Sequence, residues 1–555
     1  MTRLIECVPN FSEGRDSAKI DAITATIQAC KGVSLLDVDA GHATHRTVVT
    51  FVGEPEPVLD AAVAAAKKAL ELIDMSQHQG EHPRFGALDV CPLVPVAGVS
   101  MQETVVYART LAERMANELG MTIFCYEQAA LRPERENLAH VRSGEYEALA
   151  ERLSTPQGAP DFGPAEFNPK AGATAVGARD FLIAYNVNLN STSTRRANAL
   201  AFDVREKGRM RREPDPVTGE IVRDTEGNPQ WLPGSLKCVK GIGWFIEEYG
   251  IAQVSMNLTN TRVTPLHVVF DECVRKARAR GLRVTGSEAV GLIPLQAMLD
   301  AGRHYLRLQQ RSTGVPDAEL IKIAVRSMGL DELSPFDARA KIIEYAIEDD
   351  TANPLVRSSL RGFTEQTASE APAPGGGSVA AAVGAMGAAL GTMVANLSSH
   401  KRGWDARWEE FSAVAERGKA AYVELLALVD KDTQAFNGIM EAWKAAPDER
   451  EQAIQDATRV AIEVPLRVME VCAECMQVCA DMAESGMQAS LSDAGVGALC
   501  ARTAALGAYL NICINATDLK DEARRKDYLD RALDLRSTLE ARETEVLALV
   551  ESKLS

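Results

Sequence analysis

Two imidazoles, a carboxylate and a guanidinium crowd into one short run, His78-Gln79-Gly80-Glu81-His82-Pro83-Arg84. An unperturbed imidazole titrates near pH ~6.5, so this run can both give and take a proton at neutral pH. The i, i+4 spacing of His78 and His82 would suit a zinc pair on a helix. Gly80 and Pro83 argue against a helix there, which leaves a solvated loop or a catalytic loop, the latter preferred. Asp37 and Asp39 form a second cluster, followed by His42, His45 and Arg46. They close a strand-like run, where α/β folds tend to hold active-site groups; the plainer alternative is a strand-end turn with solvated charges. A third, Gly172 to Arg179, has the pattern GxxxxGxR without the Lys-Ser/Thr of a phosphate loop. Its small residues would let a flat ligand approach the backbone.

In the second half the chemistry sits on a helical stripe. Tyr422, Leu425, Val429, Asp432 and Phe436 follow steps of three and four, which puts Asp432 in the core-facing row and turns Asp430 away from it. An ionised carboxylate in a core row is costly unless it is paired or functional. A functional acid is the preferred reading, beside a structural ion pair and a stripe drawn at the wrong angle. Asn511 and Asn515 are an i, i+4 amide pair, suited either to the edge of a pterin or to inter-helix hydrogen bonds. Cys472, Cys475 and Cys479 also fall on one helix face, which favours buried core thiols over an iron–sulfur cluster.

The elements needed to position these groups change character along the chain. Runs 32–40, 44–53, 87–96, 121–127, 181–190 and 250–258 read as strands, and 55–75 and 102–119 as helices between them. The pattern is α/β or α+β. A polar stretch at 156–171 separates two such units, and 207–235 reads as an exposed hairpin or loop excursion. Beyond a linker the period is helical, with candidate helices at 378–399, 404–443, 447–484, 494–516 and 519–552. The expected organisation is two α/β (α+β) subdomains at 1–178 and 179–347, a linker at 348–357 and an all-α helical bundle at 358–555.

The bulk numbers bound the function. A net charge of −17 argues against a nucleic-acid binder, though not against a small anionic substrate. The start of the chain shows no secretory h-region, and 11 scattered cysteines suit a reducing cytosol. Ser378 to Leu397 is uncharged and long enough for a membrane span, but its Ala/Gly content favours a buried central helix. No membrane partner is expected.

ECVPNFSEG (6–14), DVDAG (37–41), GEHPRFGALDVCP (80–92), APDFGP (159–164) and GATAVGAR (172–179) resemble the glutamate formiminotransferase family in order and content. APGGGSVAAAVGAMGAALGTMV (373–394), LVDKDTQAF (428–436) and SDAG followed by Asn511 and Asn515 resemble the formimino-folate cyclodeaminase family. The resemblance implies a two-part enzyme of histidine degradation that uses tetrahydrofolate, polyglutamylated, as co-substrate and needs no metal. It makes His82 the acid/base, Asp39 a catalytic acid and Asp432 the acid of the second site. It places folate along Gly163, Pro164, Ala165, Glu166, Phe167, Asn168, Pro169, Lys170, Ala171 and Gly172, and near 452–460 with Arg459 as a partner for a glutamate tail. By type, Arg46, Arg84 and Arg179 are available for substrate carboxylates. Relatives of this fused kind are ring-like homo-oligomers built from dimers. The rival readings are a methenyl-folate cyclohydrolase in the second half and a folate-binding scaffold without activity.

Overall fold

A computed structural model describes residues 3–554 except 43, 81–83, 216–217 and 349–352. The chain forms two compact units, Met1–Ala297 with Met328–Ile347, and Met298–Ser327 with Glu348–Ser555. His82 lies outside the described residues.

The first unit holds two sheets. The larger contains β1 (Leu4–Cys7), β2 (Asn10–Phe11), β3 (Val33–Gly41), β4 (Arg46–Gly53), β5 (Leu88–Ala97), β6 (Thr122–Glu127) and β7 (Ala173–Ala178). β3 pairs antiparallel with β4, β4 with β1 and β2, and these with β5; β5, β7 and β6 then run parallel. Side chains alternate across a strand, so the sheet has two distinct faces. Ile5, Cys7, Val49 and Phe51 are fully buried against the helices Ser17–Gln28, Pro55–Leu72 and Met101–Leu119. Glu6, Asn10, Arg46, Val48 and Thr50 point the other way, into a cleft. Local signals set the helix ends: Pro55 opens one helix, and a Ser100–Glu103 capping box opens another that closes on Gly120 at φ 67°.

The second sheet has β8 (Ile183–Leu189) and, after an excursion, β13 (Val239–Ile246), β14 (Ile251–Leu258) and β15 (Val284–Val290), all antiparallel in the order β13-β14-β8-β15. Tyr185, Val187, Leu189, Val254 and Met256 are buried on the side of the helices Thr194–Val204 and Leu266–Ala279. The excursion folds as two small ribbons, β9 (Arg209–Met210) with β12 (Trp231–Leu232) and β10 (Arg212–Glu213) with β11 (Glu220–Ile221).

The second unit is helical, built on Gly376–Ser399, Trp408–Ala442, Arg450–Ser485, Leu491–Ala516 and Glu522–Leu554. The expected order of α/β halves followed by a bundle is therefore present. One segment departs from chain order: 298–327 packs with the bundle rather than with the second α/β subdomain. The Thr313 backbone N–H donates to Ser412 Oγ at 3.0 Å, and Lys419 pairs with Asp317 at 2.6 Å. Gly376–Ser399 and Gln488–Ala516 have the length and composition to cross a bilayer. In the bundle the first is a central helix whose glycines admit its neighbours. A Cβ at Gly384 would touch Cys472 Sγ at 3.1 Å, Ala504 Cβ at 3.2 Å and Leu425 Cδ1 at 3.3 Å. Cys472, Cys475 and Cys479 are fully buried on the facing helix.

Gly387→Ala and Gly438→Ala should therefore shift stability in opposite directions. A Cβ at Gly387 would lie 2.8 Å from both the Gly497 carbonyl oxygen and Cys500 Cβ, whereas one at Gly438 meets nothing within 4 Å. The first should cost about 1–3 kcal/mol through overpacking, and the second should gain roughly 0.5–1 kcal/mol from helix propensity. Denaturant midpoints of the two variants check this.

Candidate active sites

The cleft between the two α/β subdomains of the first unit is a cavity of about 440 Å³. One wall is the cleft-facing side of the large sheet, and the other includes Ala184, Asn257 and Val290 of the small sheet. Asp37 and Asp39 enter from β3, Arg46 from β4 and Arg179 from the end of β7. Asp39 and Arg46 thus stand on adjacent paired strands of one wall, and Glu6 lies within reach of the Arg179 charge. The confining walls and then the Asp37 charge raise the Asp39 pKa, with Glu288 adding to the rise and Lys341 opposing it.

Arg46 is fixed from behind. Its Nη1 meets the fully buried Asp89, and its Nε and Nη2 donate to Asn10 Oδ1 at 3.1 and 2.8 Å. Arg142 donates to the same Asp89 oxygen at 2.8 Å. Burial, then the Arg142 charge, push Arg46 down to about 9; contact with Asp89 favours its charged form. Arg84 has a different place. Its guanidinium donates to the Met75 and His78 carbonyls and to Glu147, and stacks 4.7 Å from the Tyr146 ring centroid. It does not line the cavity, and its donors clamp the loop on either side of 81–83. As a partner for substrate carboxylates it gives way to Arg46 and Arg179.

The flanks of that loop are described closely. Glu13 accepts three backbone N–H bonds, from Gly14, Arg15 and Asp16, at 3.0–3.1 Å. Burial raises its pKa, but these bonds and Lys19 outweigh it and hold Glu13 below the usual carboxylate range. Its carboxylate lies 3.3 Å from His45 Nε2, the His45 ring stands 4.4 Å from that of His78, and His78 Nε2 donates to the His45 carbonyl at 2.8 Å. Burial lowers both imidazole pKa values. The Gly80 backbone backs onto Thr44, itself a cavity residue, so Gly80 stands at the cavity edge. On its other side, the Met75 and Ala87 backbone N–H groups donate to the Lys170 and Ala171 carbonyls at 3.0 and 2.9 Å. The segment 163–172 thus borders the loop, mostly exposed, and does not line the cavity. Gly163 and Gly172 adopt φ of 82° and 68°, as its turns require.

Two groups in this cleft carried no role in the sequence reading. Glu6 is 5% exposed, lines the cavity and is pushed up to about 7 by burial; Arg179 opposes the shift and Glu344 adds to it. A ladder of amides continues the wall from Ala184 along the same face of β8: Asn186 Nδ2 donates to Glu288 at 3.1 Å, and Gln253 Nε2 to Asn188 Oδ1 at 2.8 Å. The alternation in AYNVNLN, with Asn at every second position of a buried strand, was the available signal.

In the second unit Asp432 meets the start of the helix Gly376–Ser399. That helix has no side-chain cap of its own. Asp432 Oδ2 accepts the Ser378 hydroxyl at 2.9 Å and the carboxylate also takes the Ser378 backbone N–H. A Cβ at Gly377 would overlap the carboxylate, and one at Gly376 would come within 3.5 Å of Asn511 Nδ2. Burial raises the Asp432 pKa, and the two Ser378 bonds restrain the rise. Asp430, expected to face away, is itself 3% exposed and accepts the Leu355 and Val356 backbone N–H groups at 3.0 and 3.1 Å. It caps the short helix Pro354–Arg357, a second buried face that a single stripe does not show. Asn515 donates to the Ala461 carbonyl at 2.8 Å and lines a cavity of about 510 Å³ with Arg450, Lys520 and Trp443. Arg459 instead pairs with Asp456 at 3.2 Å and is not part of that lining. Among the described residues no cluster of His, Cys, Asp and Glu could hold a metal ion.

This pair of sites, a cleft between two α/β subdomains and a carboxylate at the glycine-rich start of a bundle helix, has matches along the whole chain. Residues 4–179 match the formiminotransferase domain, N-terminal subdomain, 184–348 the formiminotransferase domain, and 359–534 the formiminotransferase-cyclodeaminase family. The formimidoyltransferase-cyclodeaminase of Mus musculus is 43% identical over 560 aligned residues, covering 100% of both chains. The glutamate formimidoyltransferase of Streptococcus pyogenes is 41% identical over 56% of this chain and 95% of its own. The methenyltetrahydrofolate cyclohydrolase of Methylorubrum extorquens is 34% identical over 36% of this chain and 98% of its own. The chain belongs to the formimidoyltransferase-cyclodeaminase family and is an enzyme.

Glu6 gives a pH test of the cleft. Its folded pKa is raised, so its contribution to stability is intact below its ordinary value of 4.5 and is lost as pH climbs to about 7. Glu6→Gln lacks this dependence. Its stability relative to the parent should rise by up to about 3 kcal/mol between those limits and then level off. Denaturation curves at pH 5, 6, 7 and 8 measure the difference; a flat difference would show that Arg179 keeps Glu6 ionised throughout.

Proposed function

We propose that the first unit transfers the formimino group of N-formimino-L-glutamate to tetrahydrofolate, and that the second cyclises 5-formimino-tetrahydrofolate to 5,10-methenyl-tetrahydrofolate with release of ammonia. The observation that carries the reading is that carboxylates and guanidiniums line one cleft. The substrate has an amidine, cationic when protonated, and two carboxylates. Asp39 beside Asp37 suits the amidinium, and Arg46 and Arg179 suit the carboxylates. The folate N5 lone pair attacks the amidinium carbon to form a tetrahedral intermediate whose carbon bears three nitrogens. His82 takes the proton from N5 and returns one to the glutamate nitrogen, whose bond to carbon then breaks. The segment 163–172, bordering the His82 loop, lies along the folate.

In the second site N10 attacks the formimino carbon and the ring closes. Asp432, raised by burial, carries the proton that lets the nitrogen depart as ammonia. The Ser378 hydroxyl orients the carboxylate, Asn511 serves the pterin, and Asn515, Arg450 and Lys520 serve the folate further along. Neither step calls for a metal. Likeness to the Methylorubrum protein supports a second reading, cyclohydrolase activity in the bundle, and measured ammonia separates the two.

The mixture of formiminoglutamate, tetrahydrofolate and enzyme should develop methenyl-tetrahydrofolate absorbance with stoichiometric ammonia; absence of both would leave a folate-binding scaffold. His82→Ala should stop transfer and spare cyclisation of supplied 5-formimino-tetrahydrofolate. Asp432→Asn should cut cyclisation by at least about 10²-fold, spare transfer and leave stability level or raised at neutral pH. Asp430→Asn replaces an acceptor of two backbone donors and should cost roughly 1–3 kcal/mol of stability.

The oligomer belongs to the same proposal. The eleven cysteines form no disulfide, in keeping with a cytosolic enzyme. Val496, Leu499, Leu510 and Ile514 of Leu491–Ala516 are 43–67% exposed, a face suited to a second copy in a ring of dimers holding polyglutamylated folate between steps. Leu510→Lys with Ile514→Lys should lower the sedimentation mass; an unchanged mass would remove this face from the interface.

A further inference from the structure

No described residue of the excursion 207–235 lines either of the two cavities above. Its ribbons lie over the helix Thr194–Val204 and enclose a cavity of about 480 Å³. Four guanidiniums reach the cavity: Arg195 and Arg205 from the helix side, Arg209 and Arg212 from the ribbons. The remaining wall is apolar or amide, including Phe202 and Trp231, and among the described residues no carboxylate lines it. In a chain of net charge −17 such a concentration of one sign opposes the general field.

Three of the four guanidiniums are held in place. Arg205 donates to the Gly208 and Gly241 carbonyls at 2.9 and 3.2 Å and lies 4.0 Å from the Phe202 ring centroid. Arg209 Nη2 donates to the Ala199 carbonyl at 2.6 Å and meets Asp203, which Arg280 shares. Arg212 Nη1 donates to the Gly219 carbonyl at 2.9 Å. Each bond leaves other N–H groups of the fork without a partner among the described residues. Arg195 is exposed and has no partner among them at all. Burial first, then the Arg209 charge, lower the Arg205 pKa; burial lowers that of Arg209, with Asp203 opposing the shift and Arg280 adding to it.

The cavity is separate from the cleft. On β13 the Gly243 N–H donates to Asn198 of the helix at 2.9 Å, so the odd positions face the cavity side. Trp244 points to the opposite face, where its indole N–H donates to Gln253 at 3.1 Å. The small sheet stands between the two.

We propose that this cavity is a second binding site, for a small ligand carrying several anionic groups, gripped in the forks of Arg195, Arg205, Arg209 and Arg212. Rigid guanidinium forks match phosphate and carboxylate oxygens alike, so an oligophosphate and an oligocarboxylate share the required chemistry. Isothermal titration of the full chain at low salt uses three probes: inorganic tripolyphosphate, ATP and penta-γ-glutamate. At least one should bind, with affinity that falls as salt rises. Arg195→Ala should weaken that probe by at least about 10-fold and Arg195→Ala with Arg212→Ala by at least about 100-fold, while transfer and cyclisation rates without the probe stay unchanged. The preferred probe identifies the source, phosphate or carboxylate. Arg195 carries no structural bond, so its variant should melt with the parent. Binding of no probe at 1 mM, or equal binding by parent and variants, would overturn the site without touching the two reactions.

Discussion

A carboxylate can sit against the first turn of a helix only if that turn has no side chains in the way. The second unit depends on this constraint. Asp432 belongs to one long helix, yet it takes the Ser378 hydroxyl and backbone N–H at the start of another. The opening N–H groups of a helix have no partners within it, and here no local cap supplies one. Glycine at 377 removes a Cβ that would collide with Asp432. Further along the same helix, glycines at 384, 387 and 391 admit Cys472, Cys500 and Cys479. The close packing that makes a stable centre is therefore also what brings the acid to its place. A helix start favours the charged acid and burial disfavours it; the raised pKa of Asp432 shows burial to be the stronger.

In the first unit the corresponding constraint is the pleat. β1 buries Ile5 and Cys7 beneath the helices and sends Glu6 to the cleft; β4 buries Val49 and Phe51 and sends Arg46, Val48 and Thr50 there. A shift of one residue in either register would exchange core for site. Two requirements of the fold, an apolar face and a polar face, are thus met by one alternating sequence. The small sheet repeats the arrangement, with Tyr185, Val187 and Leu189 against Asn186 and Asn188.

What was legible in the sequence follows the range of the interactions involved. Helix and strand positions depend on local period, and the runs read at 87–96 and 121–127 correspond closely to β5 and β6. Asp432 stood out because a charge in an apolar row is itself a local anomaly. Asp430 did not, since its partners Leu355 and Val356 lie in another part of the chain. Arg84 had the right type for a substrate carboxylate, but only the fold shows its donors taken by Met75, His78 and Glu147. Segment 298–327 reads in sequence as a continuation of the second α/β subdomain, and only its bonds to 412 and 419 place it with the bundle. Glu6 and Glu288 are ordinary acids in sequence; burial and neighbours give them their character.

The two reactions share an electrostatic problem that accounts for the acids. Each passes through a carbon bearing more than one nitrogen, and its reactive form is cationic. In water such a charge is screened; in a confined cleft a nearby carboxylate interacts with it more strongly, at the expense of the carboxylate's own hydration. A carboxyl whose pKa is raised by confinement, as at Asp39 and Asp432, gains more on meeting the cation than a well-solvated one, because pairing relieves part of its desolvation. The same raised pKa brings proton uptake closer to working pH, which suits Asp432 to an expelled nitrogen. At Asp39 the neighbouring Asp37 adds negative charge, which in the function proposed above would favour retention of the substrate cation over proton delivery. Similar shifts can therefore serve different tasks, with the surrounding charges deciding whether the acid holds a cation or passes a proton.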